Sequence, residues 1–198
     1  MEKILLATQN QGKVREFRKL LAPLGLTIVT PADLAETIEV IEDQNTFAGN
    51  AFKKAMTFFQ LTGLPTIADD SGLAVDYIDG RPGVFSARYS GEQATDASNN
   101  AKLLFELDGV PMEERTARFT SAIAFVLSAD YHLIVEGHTD GLILPDYRGQ
   151  NGFGYDALFL IPHLNKTYAE LDDDEKNAIS HRGVAMRKLY AKLPSILS

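Results

Sequence analysis

The chain has 198 residues, 45% of them hydrophobic and 23% charged, a composition that excludes disorder, collagen and coiled coil and suits one soluble domain or at most two small ones. Lys+Arg number 19 against 27 Asp+Glu, and the net charge of -8 argues against a protein that wraps duplex DNA, while leaving room for a small phosphorylated ligand held by a few cations. Cysteine is absent, which removes disulfides, thiolate zinc sites and every Cys nucleophile. The N-terminal apolar run is too short for a signal peptide, and Ala122 to Leu127, the longest apolar stretch, falls far below the roughly 18 residues of a membrane span. The expectation is a cytoplasmic protein with neither a nucleic-acid nor a membrane partner.

Ile4 to Thr8 reads as a buried first strand. After the polar turn Gln9-Asn10-Gln11-Gly12, a helix places Val14, Phe17, Leu20, Leu21 and Leu24 on one face, and Pro23 and Gly25 mark its end. Leu26 to Val29 is the next strand, so the opening is β-loop-α-β, a parallel pair with a right-handed crossover. Thr46 is the N-cap of a second helix with Phe47, Ala51, Ala55, Phe58 and Phe59 on its apolar face and Asn50, Lys53 and Thr57 on a polar stripe. It stops at Thr62-Gly63. Thr66-Ile67-Ala68 is a short strand running into Asp69-Asp70-Ser71-Gly72, from which Leu73 to Ile78 extends away.

A second lobe follows, with a helix near Asp96 to Leu107 and strands at Arg115 to Leu127, His132 to His138 and Leu142 to Leu144. The glycine-rich Arg148 to Asp156 leads into a strand at Ala157 to Ile161, and Thr167 and Glu170 have capping-box spacing. The acidic run Asp172 to Glu175 precedes a last helix that begins at Ala178 or Ser180 and runs to Leu193. With no repeat and no linker, residues 1–198 read as a single α/β domain with a mixed sheet flanked by helices.

Four places could carry chemistry. Thr8-Gln9-Asn10-Gln11-Gly12-Lys13 joins a strand to a helix start, where backbone N–H groups bind phosphate and Lys13 adds a point charge. It is not a P-loop, since Ala7 stands where the first glycine belongs and Val14 replaces Ser/Thr. Asp69-Asp70-Ser71-Gly72 puts adjacent carboxylates at a strand end, as a Mg²⁺ site shared with substrate phosphates would need, although a solvated Asp-Ser-Gly turn uses the same residues. Ser180-His181-Arg182 places two potential cations at a helix N-terminus, where a docked anion or carbonyl would account for them. Gly152-Phe153-Gly154-Tyr155-Asp156 offers close backbone approach, a ring for stacking and a carboxylate for base N–H groups. Together these are the parts of a nucleoside-triphosphate site.

Over essentially the whole chain the sequence resembles the inosine/xanthosine triphosphate pyrophosphatases, which hydrolyse non-standard purine nucleoside triphosphates. The resemblance is carried by Thr8-x-Asn10-x-x-Lys13-x-x-Glu16, Thr46-Phe47-x-x-Asn50-Ala51 with Lys53, and Ala68-Asp69-Asp70-Ser71-Gly72-Leu73. It continues through Pro82-Gly83-x-x-Ser86-Ala87-Arg88-Tyr89, Gly152-Phe153-Gly154-Tyr155-Asp156 and Glu175-Lys176-Asn177-Ala178-Ile179-Ser180-His181-Arg182-Gly183. It implies a two-lobed α/β homodimer, a cleft between the lobes, and Mg²⁺-dependent conversion of ITP, dITP or XTP to the monophosphate and pyrophosphate. It assigns Asp70 as metal ligand and general base, Asp69 as a supporting carboxylate, and Lys13 and Lys53 as cations for the triphosphate. Thr8 to Lys13, Ser71, Phe153 to Asp156, Lys176, His181 and Arg182 would contact substrate, with His181 and Arg182 donating toward the purine 6-oxo group.

One departure is visible. The family's Glu-x-x-Gly before Thr46-Phe47 reads here as Glu39 to Asn45 without the glycine, so Glu42 is taken as the second metal ligand, with Glu39 or Asp43 as replacements. Two other function classes share some of these features. A Mg²⁺ phosphohydrolase for sugar phosphates or ordinary nucleotides would use the same carboxylates and lysines without needing Phe153 and Arg182, and a nucleotide sensor would bind without turnover. The absence of any serine in Gly-x-Ser-x-Gly argues against a serine hydrolase.

Overall fold

The computed structural model describes residues 3–35 and 38–197. Lys3–Leu6 (β1) pairs in parallel with Thr27–Val29 (β2), joined by the helix Gln11–Leu21 (α1). Asn10 starts α1 by accepting the Lys13 N–H at 3.1 Å. Gly25, at φ +63°, closes the short 3-10 turn that follows the helix. Phe47–Thr62 (α2) is capped by the Thr46 hydroxyl, which accepts the Gly49 N–H, and it ends at left-handed Gly63.

The chain continues through Thr66–Val75 (β3), Arg81–Pro82 (β4), Asp96–Glu106 (α3), Thr116–Ser128 (β5) and Tyr131–Ile143 (β6). Phe159–Ile161 (β7), Lys166–Thr167 (β8), Asp173–Ile179 (α4) and His181–Leu197 (α5) complete it. The strands order as β2-β1-β3-β5-β6-β7-β8, with β4 pairing on β3. Strand β1 is parallel to both neighbours, whereas β4, β7 and β8 add antiparallel pairs, so the sheet is mixed as expected.

The chain divides into two compact units, one of Met1–Asp70, Ser121–Gly137 and Arg182–Ser198, the other of Ser71–Thr120 and His138–His181. In the first unit the strands alternate between two apolar layers. Ile4, Leu6, Ile67, Ile123 and Phe125 pack with Val14, Phe17 and Leu21 of α1 and Met186, Leu189 and Leu193 of α5. Leu5, Ala7, Ala68, Ala122, Ala124 and Val126 pack with Ala51, Ala55 and Phe58 of α2. The second unit closes on Leu73, Val75, Leu103, Phe119, Ile143, Phe159 and Tyr168.

Three expectations are corrected. The two aspartates lie inside an unbroken ten-residue strand rather than in a turn at a strand end. Asp is a poor strand former, but its weak propensity yields where each carboxylate finds its own partners. The stretches at His132 and Leu142 are one strand, β6, with the polar Thr139 and Asp140 continuing the alternation. The acidic run does not precede the last helix but builds a helix of its own, α4. Asp172 caps it in a reciprocal box with Glu175, and Asp173, Asp174 and Glu175 complement the positive end of the helix dipole. The chain turns at Ser180 before α5 starts at His181. Thr167 and Glu170 form the expected capping box, on a 3-10 turn.

Candidate active site

Strand periodicity decides what each aspartate meets. Asp69 falls on the same face as Ile67, the layer of α1 and α5, and Asp70 on the face of Ala68, the layer of α2. Asp69 is 0% exposed. It pairs with Lys13 Nζ at 2.7 Å and with Arg182 NH2 at 3.2 Å, and it accepts a hydrogen bond from Ser121 Oγ. Burial alone would push its carboxyl up, but the Arg182 guanidinium and the Lys13 ammonium overturn that and hold it well below the usual carboxylate range. Arg182, 2% exposed, is offset in turn by Glu16 of α1. Asp69 is therefore the anion of a closed ion network.

Asp70 has a different environment. Its Oδ2 accepts from Asn50 Nδ2 at 3.0 Å, and the Oδ1 of the same Asn50 accepts the Gln44 N–H at 2.9 Å, tying the acidic loop to α2. Burial pushes the Asp70 carboxyl up; Lys13 opposes this and Glu42 adds to it. Lys54 pairs with Glu42 and brings its Nζ within 3.4 Å of the Asp69 carbonyl oxygen, the same distance at which Lys13 Nζ meets that oxygen. Two ammonium groups from opposite layers thus converge where the carboxylates leave the strand.

The second of these lysines is not the expected one. Lys53 turns away to an exposed pair with Asp43 at 2.8 Å. Lys53 and Lys54 lie three and four residues from Asn50, and both spacings share its face, so helical periodicity alone does not choose between them. Asn50 was read as part of a polar stripe and is in fact buried against Asp70. Of Glu39, Glu42 and Asp43, Glu42 is the one placed to act on Asp70, and Asp43 is drawn to Lys53.

The loop between β1 and α1 holds half-buried Thr8, exposed Gln9, Asn10 and Gln11, and buried Gly12. Thr8 Oγ1 accepts the Asn10 N–H at 3.2 Å, and the first turn of α1 carries no acidic residue. It lies past the C-terminal end of β1, the usual position for a ligand in a parallel α/β layer.

Within the second unit, Asp156 accepts from the Phe153 N–H at 2.9 Å and pairs with the buried Lys176 at 2.7 Å. The Lys176 ammonium stands 4.9 Å from the centre of the Phe153 ring. His181 stacks on Phe119 with ring centres 4.7 Å apart and the planes 9° from parallel. Tyr155 is spent on the core, its hydroxyl donating to the Ser86 carbonyl at 2.8 Å, and Ser71 is half-buried on β3. Phe153, Asp156 and Lys176 therefore form one cluster, while Arg182 belongs to the carboxylate network and not to this group.

Among the described residues no three His, Asp or Glu side chains gather as a ready-made metal cage. The donor set nevertheless fits Mg²⁺, which takes one or two carboxylates and fills its shell with water and phosphate oxygens. Glu42 raises the Asp70 carboxyl, and such a like-charged pair is what a divalent cation relieves.

The Ham1 family profile matches residues 4–192. The chain is 50% identical over 186 residues to the dITP/XTP pyrophosphatase of Desulforamulus reducens, spanning 94% of this chain and 92% of that protein. It is 51% identical over 189 residues to the dITP/XTP pyrophosphatase of Geobacillus kaustophilus, with 96% and 93% covered. Among solved structures, a HAM1 protein from Coxiella burnetii aligns with a TM-score of 0.89 at 41% identity, covering 98% of this chain and 100% of that one. The Staphylococcus aureus Ham1 protein gives 0.87 at 35%, with 98% and 99% covered.

Proposed function

Since the chain belongs to the Ham1 family, we propose that it hydrolyses the non-standard purine nucleoside triphosphates dITP, XTP and ITP, releasing the nucleoside monophosphate and pyrophosphate. The observation that carries the chemistry is the unequal treatment of the two strand-borne aspartates. Asp69 is neutralised within its network, and Asp70 is left beside Glu42 at the edge of the α2 layer. Asp70 and Glu42 would hold Mg²⁺, which when bound supplies positive charge to the phosphate oxygens. Asn50 orients Asp70 by its bond to Oδ2, so that the carboxylate can accept a proton from the attacking water. Water attacks the α-phosphorus, the bond from the α-phosphorus to the bridging oxygen breaks, and pyrophosphate leaves. Lys13, Lys54 and the N–H groups opening α1 take up the charge on the leaving group.

On this reading the purine is met by Phe153, Asp156, Lys176 and His181. Inosine and xanthine carry a 6-oxo acceptor where adenine carries an amino donor. Lys176 and the backbone N–H groups at the start of α5 can serve that acceptor, and Arg182, already paired with Asp69 and Glu16, is not needed. The whole chain acts as one catalytic domain, in the cytoplasm and as a homodimer. Among the described residues no helix is long and apolar enough to cross a membrane.

The test is pyrophosphate release from ITP, XTP, dITP, GTP and ATP with Mg²⁺, with Asp70→Asn as control. Release confined to the first three, and lost about 10²-fold or more in the variant, is the expected result. Equal turnover of ATP, or binding without turnover, would sink the proposal. Gel filtration with light scattering reads the dimer.

A further inference from the structure

Two side chains outside the site just described grip the main chain of a single residue in the Phe153 loop. Asp96 Oδ2 accepts the Gly154 N–H at 2.7 Å, and Asn100 Nδ2 donates to the Gly154 carbonyl oxygen at 2.9 Å. The two stand four residues apart and so share one face of α3. That helix is a firm mount: Thr95 and Ser98 close a capping box at its start, and Leu103 near its other end is fully buried. On the other side of the loop, the Phe153 N–H is already held by Asp156. The Phe153 ring is thus carried by a main chain fixed both at its own N–H and at both polar groups of the next residue.

Fold stability alone does not account for Asn100. The residue is 5% exposed, and its Oδ1 is buried with no hydrogen-bond partner among the described residues. An amide buried with an unmatched acceptor is destabilising, and a leucine of the same branched shape would extend the apolar row of Leu103 and Leu104 on this helix. What the amide contributes and leucine would not is the donor to Gly154. Asp96 has two roles that can be separated. Its charge favours the first turn of α3, and its oxygen holds the Gly154 N–H.

We propose that Asp96 and Asn100 are positioning residues that hold the Phe153 ring in the place where it stacks on the purine. The inference rests on the reading that Phe153 meets the base, and the experiment separates the two. The chain has no tryptophan, so Phe153→Trp places a single indole at the ring, which can be excited apart from the tyrosines. With Mg²⁺ and the non-hydrolysable α,β-methylene analogue of ITP, binding should quench it. Adding Asn100→Leu should lower the anisotropy of the free protein and raise the half-quenching concentration about five- to tenfold, the worth of one hydrogen bond, with Tm unchanged or higher.

With the native Phe153, Asn100→Leu and Asp96→Ala should raise KM for ITP with kcat nearly unchanged. Asp96→Asn, which keeps an acceptor oxygen, should restore KM. If the tryptophan is quenched but its anisotropy, the half-quenching concentration and KM ignore Asn100→Leu and Asp96→Ala, the positioning role is wrong. So too if these changes lower Tm and kcat together with KM fixed. If the analogue leaves the tryptophan unquenched while that variant still turns over ITP, it is the contact between Phe153 and the base that fails.

Discussion

Removing Arg182 would leave the Asp69 carboxylate sealed from water, with Lys13 and Ser121 left to offset it. Breaking a buried pair by deleting one partner typically costs about 3–5 kcal/mol, because the other charge stays buried. Arg182→Ala should therefore lower Tm on the order of 10 °C by calorimetry, with ITP and ATP turnover falling together. An unchanged Tm with a compressed ITP/ATP ratio would return Arg182 to reading the base.

The lysines are separated by the same logic. Lys54→Ala should reduce ITP turnover at least tenfold, while Lys53→Ala, which loses only an exposed pair, stays within about twofold. Equal losses in steady-state assays would contradict the assignment. Residue types and spacing revealed the carboxylates and Lys13. They could not rank two adjacent lysines, because that choice depends on which face of α2 turns toward β3. Nor could they place Arg182, whose partners Asp69 and Glu16 lie far away in sequence.

At the level of elements, the acidic run concealed α4, although its capping box of Asp172 and Glu175 is entirely local. The helices α1, α2 and α3 were legible in the sequence, with Thr46 marking the start of α2. Strand β3 was not, since a window of Asp-Asp-Ser-Gly carries turn propensity and its compensating charges come from α1, α2 and α5. The loop of Gly152 to Asp156 was legible as a candidate site but not in its packing. Gly152 sits at φ +79°, and a Cβ there would fall 2.1 Å from Asp156 Oδ2. Gly152→Ala should accordingly displace the Asp156 carboxylate from Lys176. The kcat/KM for ITP should drop about tenfold or more, while ATP, poorly held in either case, changes less. A variant with unaltered ITP kinetics would show that this pair does not matter to the base.

For the whole molecule, both apolar cores of the first unit and the core of the second are built from side chains alone, and the candidate metal ligands Asp70 and Glu42 take no part in them. Chelation by EDTA should therefore abolish turnover while shifting Tm by no more than a degree or two, and added Mg²⁺ should restore activity without refolding. A large fall in Tm on chelation would mean that the cation also supports the fold. The segment order of the two units has a further consequence, one of timing. Arg182 lies 113 residues after Asp69, in the final segment of the first unit, while the second unit ends at His181. During synthesis every buried core residue of the second unit is added before the Arg182 guanidinium that helps to neutralise Asp69. Until then Asp69 has Lys13 and Ser121 but lacks the guanidinium, so its charge is only partly offset in a half-built layer. A fragment that stops short of Arg182 thus holds both strand-borne aspartates without the guanidinium that completes the ion network around Asp69, and such a fragment should be inactive.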